Sequence, residues 1–350
     1  MLVSDFDFDL PEAQIAQQAR PRGESRLLVV RRAEGTWREH AFADLPSLLS
    51  PGDLMVANDT RVFPARLLGR RDPSGGAVEC LLLERESPAE WQALVHPGQK
   101  LKAGARVVFD DETRAPGVRI EGEVLERLFF GRRLVRLAFT GAPSLDEAID
   151  AVGHVPLPPY IHRADNADDR ERYQTVFARD RGSIAAPTAG LHFNDATLQA
   201  VGARGIGWCT VTLHVGYGTF KPVRVDLVEE HRVDPERYSI STATSARIRE
   251  TRARGSRVVA VGTTTTRALE SAAGEDGAVR AGSANADLFI YPGHQFKIVD
   301  ALVTNFHLPK SSLLMLVAAF AGRDLTLNAY RFAVAEGFHF YSYGDAMLIL

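Results

Sequence analysis

The chain has 350 residues, 45% of them hydrophobic and 24% charged, with a formal net charge of −3. This length and composition suggest two domains with a sizeable core and exclude global disorder. The near-neutral balance excludes nucleic-acid binding driven by bulk positive charge, so any RNA contact must come from local patches.

Residues 1–65 open with Leu10-Pro11-Glu12 and a short helix-like segment. Strand candidates follow at Ser25–Arg31 and Gly52–Ala57, the second ending at Asn58-Asp59-Thr60-Arg61. The composition then changes. Short apolar or alternating runs occur at Val78–Leu83, Trp91–Val95, Arg106–Phe109, Val118–Leu125 and Leu134–Phe139, separated by Gly, Pro, Asp or Arg. Strands at this spacing without intervening helices predict a small antiparallel barrel or sandwich, closed by a short helix at Leu145–Ala151. The Pro-rich segment His154–Tyr160 is a stiff connector that returns the chain.

From Gly182 onward, strands and helices alternate. Strands are expected at Ser183–Ala186, Ile206–Val215, Val258–Val261, Ala301–Thr304, Phe338–Tyr341 and Ala346–Leu350. Helices are expected at Asp195–Ala203, Ala268–Ala273, Leu313–Ala321 and Leu327–Glu336. This is an α/β pattern around a mainly buried sheet. The first 65 residues lack a complete core of their own. The expected architecture is therefore a discontinuous α/β main domain, residues 1–65 and 153–350, with an inserted small antiparallel β-barrel domain at 66–152.

Five segments share one form, a β-run, then a polar loop, then often a helix. They are Asn58–Arg61, Pro187–Phe193, His214–Lys221, Gly262–Arg267 and Asn305–Lys310. Ligands of open α/β sheets bind beyond the carboxyl ends of the strands, so parallel neighbouring strands would bring these loops to one edge. Gly262 with Thr263, Thr264, Thr265 and Thr266 can cradle a carboxylate or phosphate at a helix start, or serve as a plain Thr-rich cap. Gly216 and Gly218 allow close backbone approach to a ligand. His192 and His214 are acid/base candidates, because imidazole titrates near neutral pH. Asp59 beside Arg61 is either a ligand contact or an ion pair.

Lysine occurs at only five positions, Lys100, Lys102, Lys221, Lys297 and Lys310. Lys221 and Lys310 fall in polar loops, which suggests sites needing a compact ammonium rather than a planar guanidinium. Arg66/Arg70/Arg71, Arg127/Arg132/Arg133/Arg136 and Arg249/Arg252/Arg254/Arg257 are basic clusters, each either an RNA contact or a solvated face. Cys80 and Cys209 stand alone, which argues against a disulfide framework or a cysteine-rich zinc site. No phosphate-binding Gly-x-x-x-x-Gly-Lys-Ser/Thr loop, Gly-x-Ser-x-Gly elbow or His-Glu-x-x-His motif is present. The longest apolar run, Leu313–Ala321, is nine residues, too short to span a bilayer. The acidic N-terminus lacks the form of a signal peptide. A cytoplasmic protein with no membrane partner is expected.

Taken together, several segments resemble one family. They are Gly52-Asp53-Leu54, Asn58–Val62, Pro64–Leu67, Gly153–Ile161, Arg172–Val176, Ala185–Phe193, Val211–Gly216, Gly218-Thr219-Phe220, Gly262-Thr263-Thr264, Asn305–Lys310 and Phe340–Leu348. In this order, across nearly the whole chain, they are similar to the S-adenosylmethionine:tRNA ribosyltransferase-isomerase family of queuosine biosynthesis. Tyr217, Thr265–Ala268 and residues 21–26 depart from the usual pattern.

The resemblance implies that S-adenosylmethionine is a consumed substrate rather than a cofactor. Its ribosyl part goes to 7-aminomethyl-7-deazaguanine in the tRNA anticodon, giving epoxyqueuosine-tRNA, adenine and methionine. It also implies an α/β domain with an inserted barrel. The sulfonium acidifies the adjacent ribose C5′ proton, so a base is needed, and adenine leaves more easily when protonated. The RNA amine is the nucleophile, so neither a protein nucleophile nor a metal is required. His192 and His214 are the expected catalytic pair, in either order. Expected substrate contacts are Asp59, Arg61, Thr188, Gly190, Gly216, Gly218, Thr219, Thr263, Thr264, Arg267, Asn305, His307 and Lys310. Among these, Thr263–Thr266, Arg267 and Lys310 would hold the methionine carboxylate or an RNA phosphate. Asn305 and His307 would orient ribose or base, and Asp59 would meet the methionine ammonium. The barrel's Arg127–Arg136 cluster is a candidate contact for the anticodon arm. A monomer is expected. The alternatives are an S-adenosylmethionine-dependent tRNA methyltransferase and a non-catalytic RNA-binding protein.

Overall fold

The computed structural model describes residues 1–350, the side chain of Phe220 excepted. Its main sheet has nine strands. At its centre lie four parallel strands in the order Gly207–Leu213, Leu54–Asn58, Val258–Val261, Ala301–Asn305. Outside the first strand of this block run Glu236–Ile240 and then Gly282–Ala286, both antiparallel. Beyond the last runs Ala346–Ile349, antiparallel to it, then Arg26–Arg31 and Thr36–Ala41.

The central strands are continuous apolar runs because both faces are covered. Leu54, Val56, Val258, Ala260 and Leu302 point into one core, which includes Leu269, Met315, Val317 and Tyr330 from the helices Thr263–Ser271, Ser312–Ala321 and Arg323–Ala335. Met55, Ala57, Val259, Val261, Ala301 and Val303 point to the other face, against Phe42, Leu45, Phe193 and Val201. This alternation is the two-residue period of a strand.

Six strands between Arg66 and Thr140 close into an antiparallel barrel. Their burial alternates, and the inward side chains, among them Leu67, Leu82, Phe109, Val124 and Val135, form a core of their own. Gly69 is required there, since a Cβ would lie 2.1 Å from the Val108 carbonyl oxygen. Helix Leu145–Val152 starts at Ser144, whose Oγ accepts from the Glu147 amide at 3.2 Å. It packs Leu145, Ala148, Ile149 and Val152 onto the barrel. The chain leaves and returns at a narrow neck. His154 N donates to Arg66 O at 2.8 Å, and Arg66 N to His154 O at 3.3 Å.

The expected discontinuous α/β domain with an inserted β-barrel is the fold observed. Some elements differ. The first barrel strand, Arg66–Asp72, carries no strand signal because Arg66, Arg70 and Arg71 interrupt it. Thr36–Ala41 and Gly282–Ala286 are largely exposed edge strands without an apolar period. Ser183–Ala186 does not join the main sheet. The strand there is Asp180–Ser183, paired with Thr60–Val62 in a separate two-stranded sheet. Phe338–Tyr341 forms only a single bridge, Ile15 to Phe340, because Tyr341 adopts a φ of 76° and turns the chain. The helix expected at Ala268 begins at Thr263. Its threonines are tolerated because Thr265 and Thr266 donate their hydroxyls to the carbonyls of Val261 and Gly262, four residues back.

Candidate active site

The carboxyl ends of the four parallel strands lie at one edge of the sheet, and four of the five polar loops start there. Asn58 joins two of them. Its Oδ1 accepts from the Leu213 amide at 2.9 Å and its Nδ2 donates to Leu213 O at 2.8 Å. The same Nδ2 lies 3.4 Å from Thr264 Oγ1. The Gly262 amide donates to Val303 O at 2.7 Å, tying the third loop to the fourth strand.

Over this edge lies a hollow of about 550 Å³, its open mouth included. Thr188, Thr219, Thr263, Thr264, Asn305 and His307 line it, joined by Tyr160, Tyr173, Thr304, Tyr341 and Ser342. Gly262, at a φ of 93°, turns the chain so that helix Thr263–Ser271 begins at the wall. The free amides of its first turn provide an anion-binding end.

His307 is the imidazole that lines the hollow. Its Nε2 is 3.0 Å from Thr304 Oγ1, and its Nδ1 has no partner among the described residues. Burial pushes its pKa down to about 3, so the ring is neutral at pH 7. Asn305 is also buried. Its Nδ2 donates to Tyr341 O at 3.0 Å and to His192 Nε2 at 3.1 Å. Its Oδ1, at the other end of the amide, is buried with no partner. An orphaned buried acceptor is costly, and a ligand N–H or O–H would satisfy it.

The other expected residues lie outside this hollow. His192 sits behind Asn305, against Phe42, and lines a separate recess with Arg22, Ser25 and Ser342. Both ring nitrogens are engaged, and burial lowers its pKa to about 4. His214 lies under the small sheet, its Nδ1 2.9 Å from Thr60 Oγ1 and its ring against Gly182. Burial and then Arg237 lower its pKa, against the pull of Asp180 and Asp59. Asp59 is buried between Arg179 and Thr212, both at 2.7 Å. Arg61 faces a different depression, beside Arg170 and Glu171. Gly190 is a packing position, where a Cβ would lie 2.7 Å from Thr175 Cγ2. Lys310 pairs with Asp7 at 2.6 Å and lines none of these recesses.

A second recess adjoins the hollow through Thr219 and Leu313, and Gly218, Asp234, Glu236 and Arg267 line it. Glu236 is its hub, accepting from the Gly216 amide at 2.9 Å, from Thr219 Oγ1 at 3.1 Å and from the Arg267 guanidinium. The remaining Arg267 donors go to the carbonyls of Ala286 and Leu288. Arg267 is thus consumed in holding the 216–219 loop rather than left for a ligand.

The tyrosines escaped the residue-by-residue reading. Tyr160 lies in the Pro-rich connector and Tyr341 in a segment read as a strand, and neither context signals a ligand. Among the described residues, no group of three or more His, Cys, Asp or Glu side chains is placed to hold a metal ion.

Comparison with known proteins agrees over the full length. The family model described as "Queuosine biosynthesis protein" matches residues 3–349. The S-adenosylmethionine:tRNA ribosyltransferase-isomerase of Desulfitobacterium hafniense is 48% identical over 351 residues, covering 100% of both chains. The protein of the same name from Anaeromyxobacter is 52% identical over 355 residues, covering 100% of this chain and 99% of its own. The crystal structure of the S-adenosylmethionine tRNA ribosyltransferase of Thermotoga maritima is 38% identical, covers 99% of this chain and 100% of its own, and superposes with a TM-score of 0.55. With identity at this level from end to end, this chain belongs to the queuosine biosynthesis protein family.

Proposed function

We propose that the chain is an S-adenosylmethionine:tRNA ribosyltransferase-isomerase. It transfers and isomerises the ribosyl part of S-adenosylmethionine onto 7-aminomethyl-7-deazaguanine in the tRNA anticodon, releasing adenine and methionine. The observation that carries this reading is the family match over residues 3–349, with relatives of that activity at about half identity over full length. The hollow supports it, since a helix N-terminus, five threonines, an amide and a neutral imidazole line one space. The reaction is read as that of a monomer in the cytoplasm, with S-adenosylmethionine consumed and no separate cofactor.

The donor's methionine carboxylate fits the amides and hydroxyls of Thr263 and Thr264 at the helix start. The unpartnered Asn305 Oδ1 accepts from a ribose hydroxyl or the adenine amine. His307, already neutral, is the proton-transfer group beside the acidified C5′ position. His192 acts at one remove, by holding Asn305. His214 acts through the wall behind Val215 rather than on the donor.

Product analysis with S-adenosylmethionine and tRNA bearing the precursor base tests the function. Adenine and methionine are expected in equal amounts, with the ribosyl part on the RNA. S-adenosylhomocysteine in their place would make the protein a methyltransferase. RNA binding without turnover would leave it a binding module.

A further inference from the structure

We propose that the tip of one barrel hairpin, Phe129 and Phe130 with Arg127, Lys100 and Lys102 around it, is a docking surface for the single-stranded loop of the RNA substrate. This rests on the function proposed above. Phe129 and Phe130 are 86% and 90% exposed, whereas no other large exposed apolar side chain exceeds 49% among the described residues. Phe130 also holds a φ of 56°, in the left-handed region that bulky side chains avoid. Gly131 follows at 81°. Packing inside this chain therefore explains neither ring.

The tip is braced from below. Arg133 is buried, and its guanidinium donates to the carbonyls of Leu101 at 3.1 Å, Gly131 at 3.0 Å and Gly98 at 2.9 Å. That clamp fixes the Gly98–Leu101 turn beside the hairpin and brings Lys100 and Lys102 with it. The arginine cluster seen in the sequence is divided by the fold. Arg132 and Arg136 are committed to Asp234 and Glu90, and Arg133 is the brace. Lys100, Lys102 and Arg127 are exposed and have no ion-pair partner among the described residues, and Glu126 precedes Arg127 in the chain.

The tip also lies at the relevant end of the barrel. Arg132 reaches Asp234 at 3.4 Å, and Asp234 packs against Gly218 and binds Lys221 at 2.6 Å. Gly218 and Thr219 border the second recess, and Thr219 lines the hollow itself. Exposed rings among unpaired cations match unpaired nucleotides, whose bases stack on aromatic faces while their phosphates meet lysine and arginine. A duplex offers no open base faces to such rings.

The test uses the full chain carrying Phe129→Ser with Phe130→Gly, and separately Lys100→Glu with Lys102→Glu. Glycine at position 130 suits the left-handed backbone, so the fold is kept. Dissociation constants for precursor-bearing tRNA are measured at several salt concentrations, alongside steady-state KM for the tRNA and direct binding of S-adenosylmethionine. Loss of stacking is expected to weaken RNA binding and raise the tRNA KM by about tenfold or more, while S-adenosylmethionine affinity holds. The charge-reversed protein should show a flatter salt dependence. Adenine release by the unaltered chain tests the underlying function independently. Where that release occurs, an aromatic variant with tRNA affinity and KM within about twofold of the unaltered chain overturns the surface. So does a self-association that the variant abolishes without change in RNA affinity.

Discussion

Asn305 donates its amide hydrogen to Nε2 of His192 across 3.1 Å, and this contact fixes the state of both residues. With Nε2 accepting, the ring proton sits on Nδ1 and is donated to Ser25 Oγ at 2.8 Å. Burial holds the pKa at about 4, so the imidazole is uncharged at pH 7. The other end of the Asn305 amide is then presented as a fixed acceptor.

Replacing His192 by alanine should therefore act on donor binding. Freed from its anchor, Asn305 loses about 1 kcal/mol of alignment, the size of one hydrogen bond. The KM for S-adenosylmethionine is expected to rise several-fold in steady-state assays, with a smaller change in kcat. Glutamine, which can still accept at that position, should recover part of the loss. A collapse of kcat with unchanged donor affinity would place His192 in the chemistry instead.

His307→Ala should behave in the opposite way. Loss of a proton-transfer group costs about a hundredfold or more in turnover. Donor binding by calorimetry is expected to stay within a few-fold. Equal losses in both measurements would make His307 a binding residue only.

Acid should weaken the fold through the same histidines. In the unfolded chain both titrate near their ordinary value of 6.5, whereas burial holds His192 at about 4 and His307 at about 3. The native state therefore binds fewer protons, and the stability both contribute is complete above about pH 6.5. It is lost as the pH falls toward 4 and then 3. At about 1.4 kcal/mol per pKa unit, the two together lose about 4 kcal/mol between pH 7 and pH 5. Denaturant titrations at pH 7 and pH 5 check this, and His307→Asn should flatten the difference.

Glu236→Gln should destabilise the protein strongly. It leaves the buried Arg267 guanidinium without its counter-charge, at a cost of about 3 kcal/mol. Replacing both partners with apolar residues of similar volume should recover much of that loss in urea melts. The 216–219 loop would still lose two hydrogen bonds to Glu236, so donor affinity should stay reduced in the double variant.

The sequence revealed most where two-sided burial or a helix cap sets the bounds. Val258–Val261 and Asp195–Ala203 have in the structure the bounds read from the sequence. The apolar run from Leu313 is a helix that its Ser311 cap starts one residue earlier. The edge strands stayed hidden, because Thr36–Ala41 carries Glu39 between Trp37 and Ala41 on one face and only Thr36, Arg38 and His40 on the other, and its pairing is decided by its neighbours. For the site, the loops were legible as a set. Which side chain faces inward was not, because that depends on long-range contacts. His192 and His307 look alike in sequence, yet one packs against Phe42 and the other lines the hollow. Thr188 and His307 share that hollow, while His214, in an equally glycine-rich loop, is turned under Thr60.

The neck at Arg66 and His154 makes the barrel an insert whose two backbone ends meet, with the Arg132–Asp234 pair as a side-chain brace to the main domain. Because outgoing and incoming backbones already touch there, the insert can be lengthened, trimmed or exchanged in a relative without shifting the register of any strand that builds the donor cavity. The docking surface proposed on the barrel and the hollow at the sheet edge thus sit on units that can diverge at separate rates within one polypeptide.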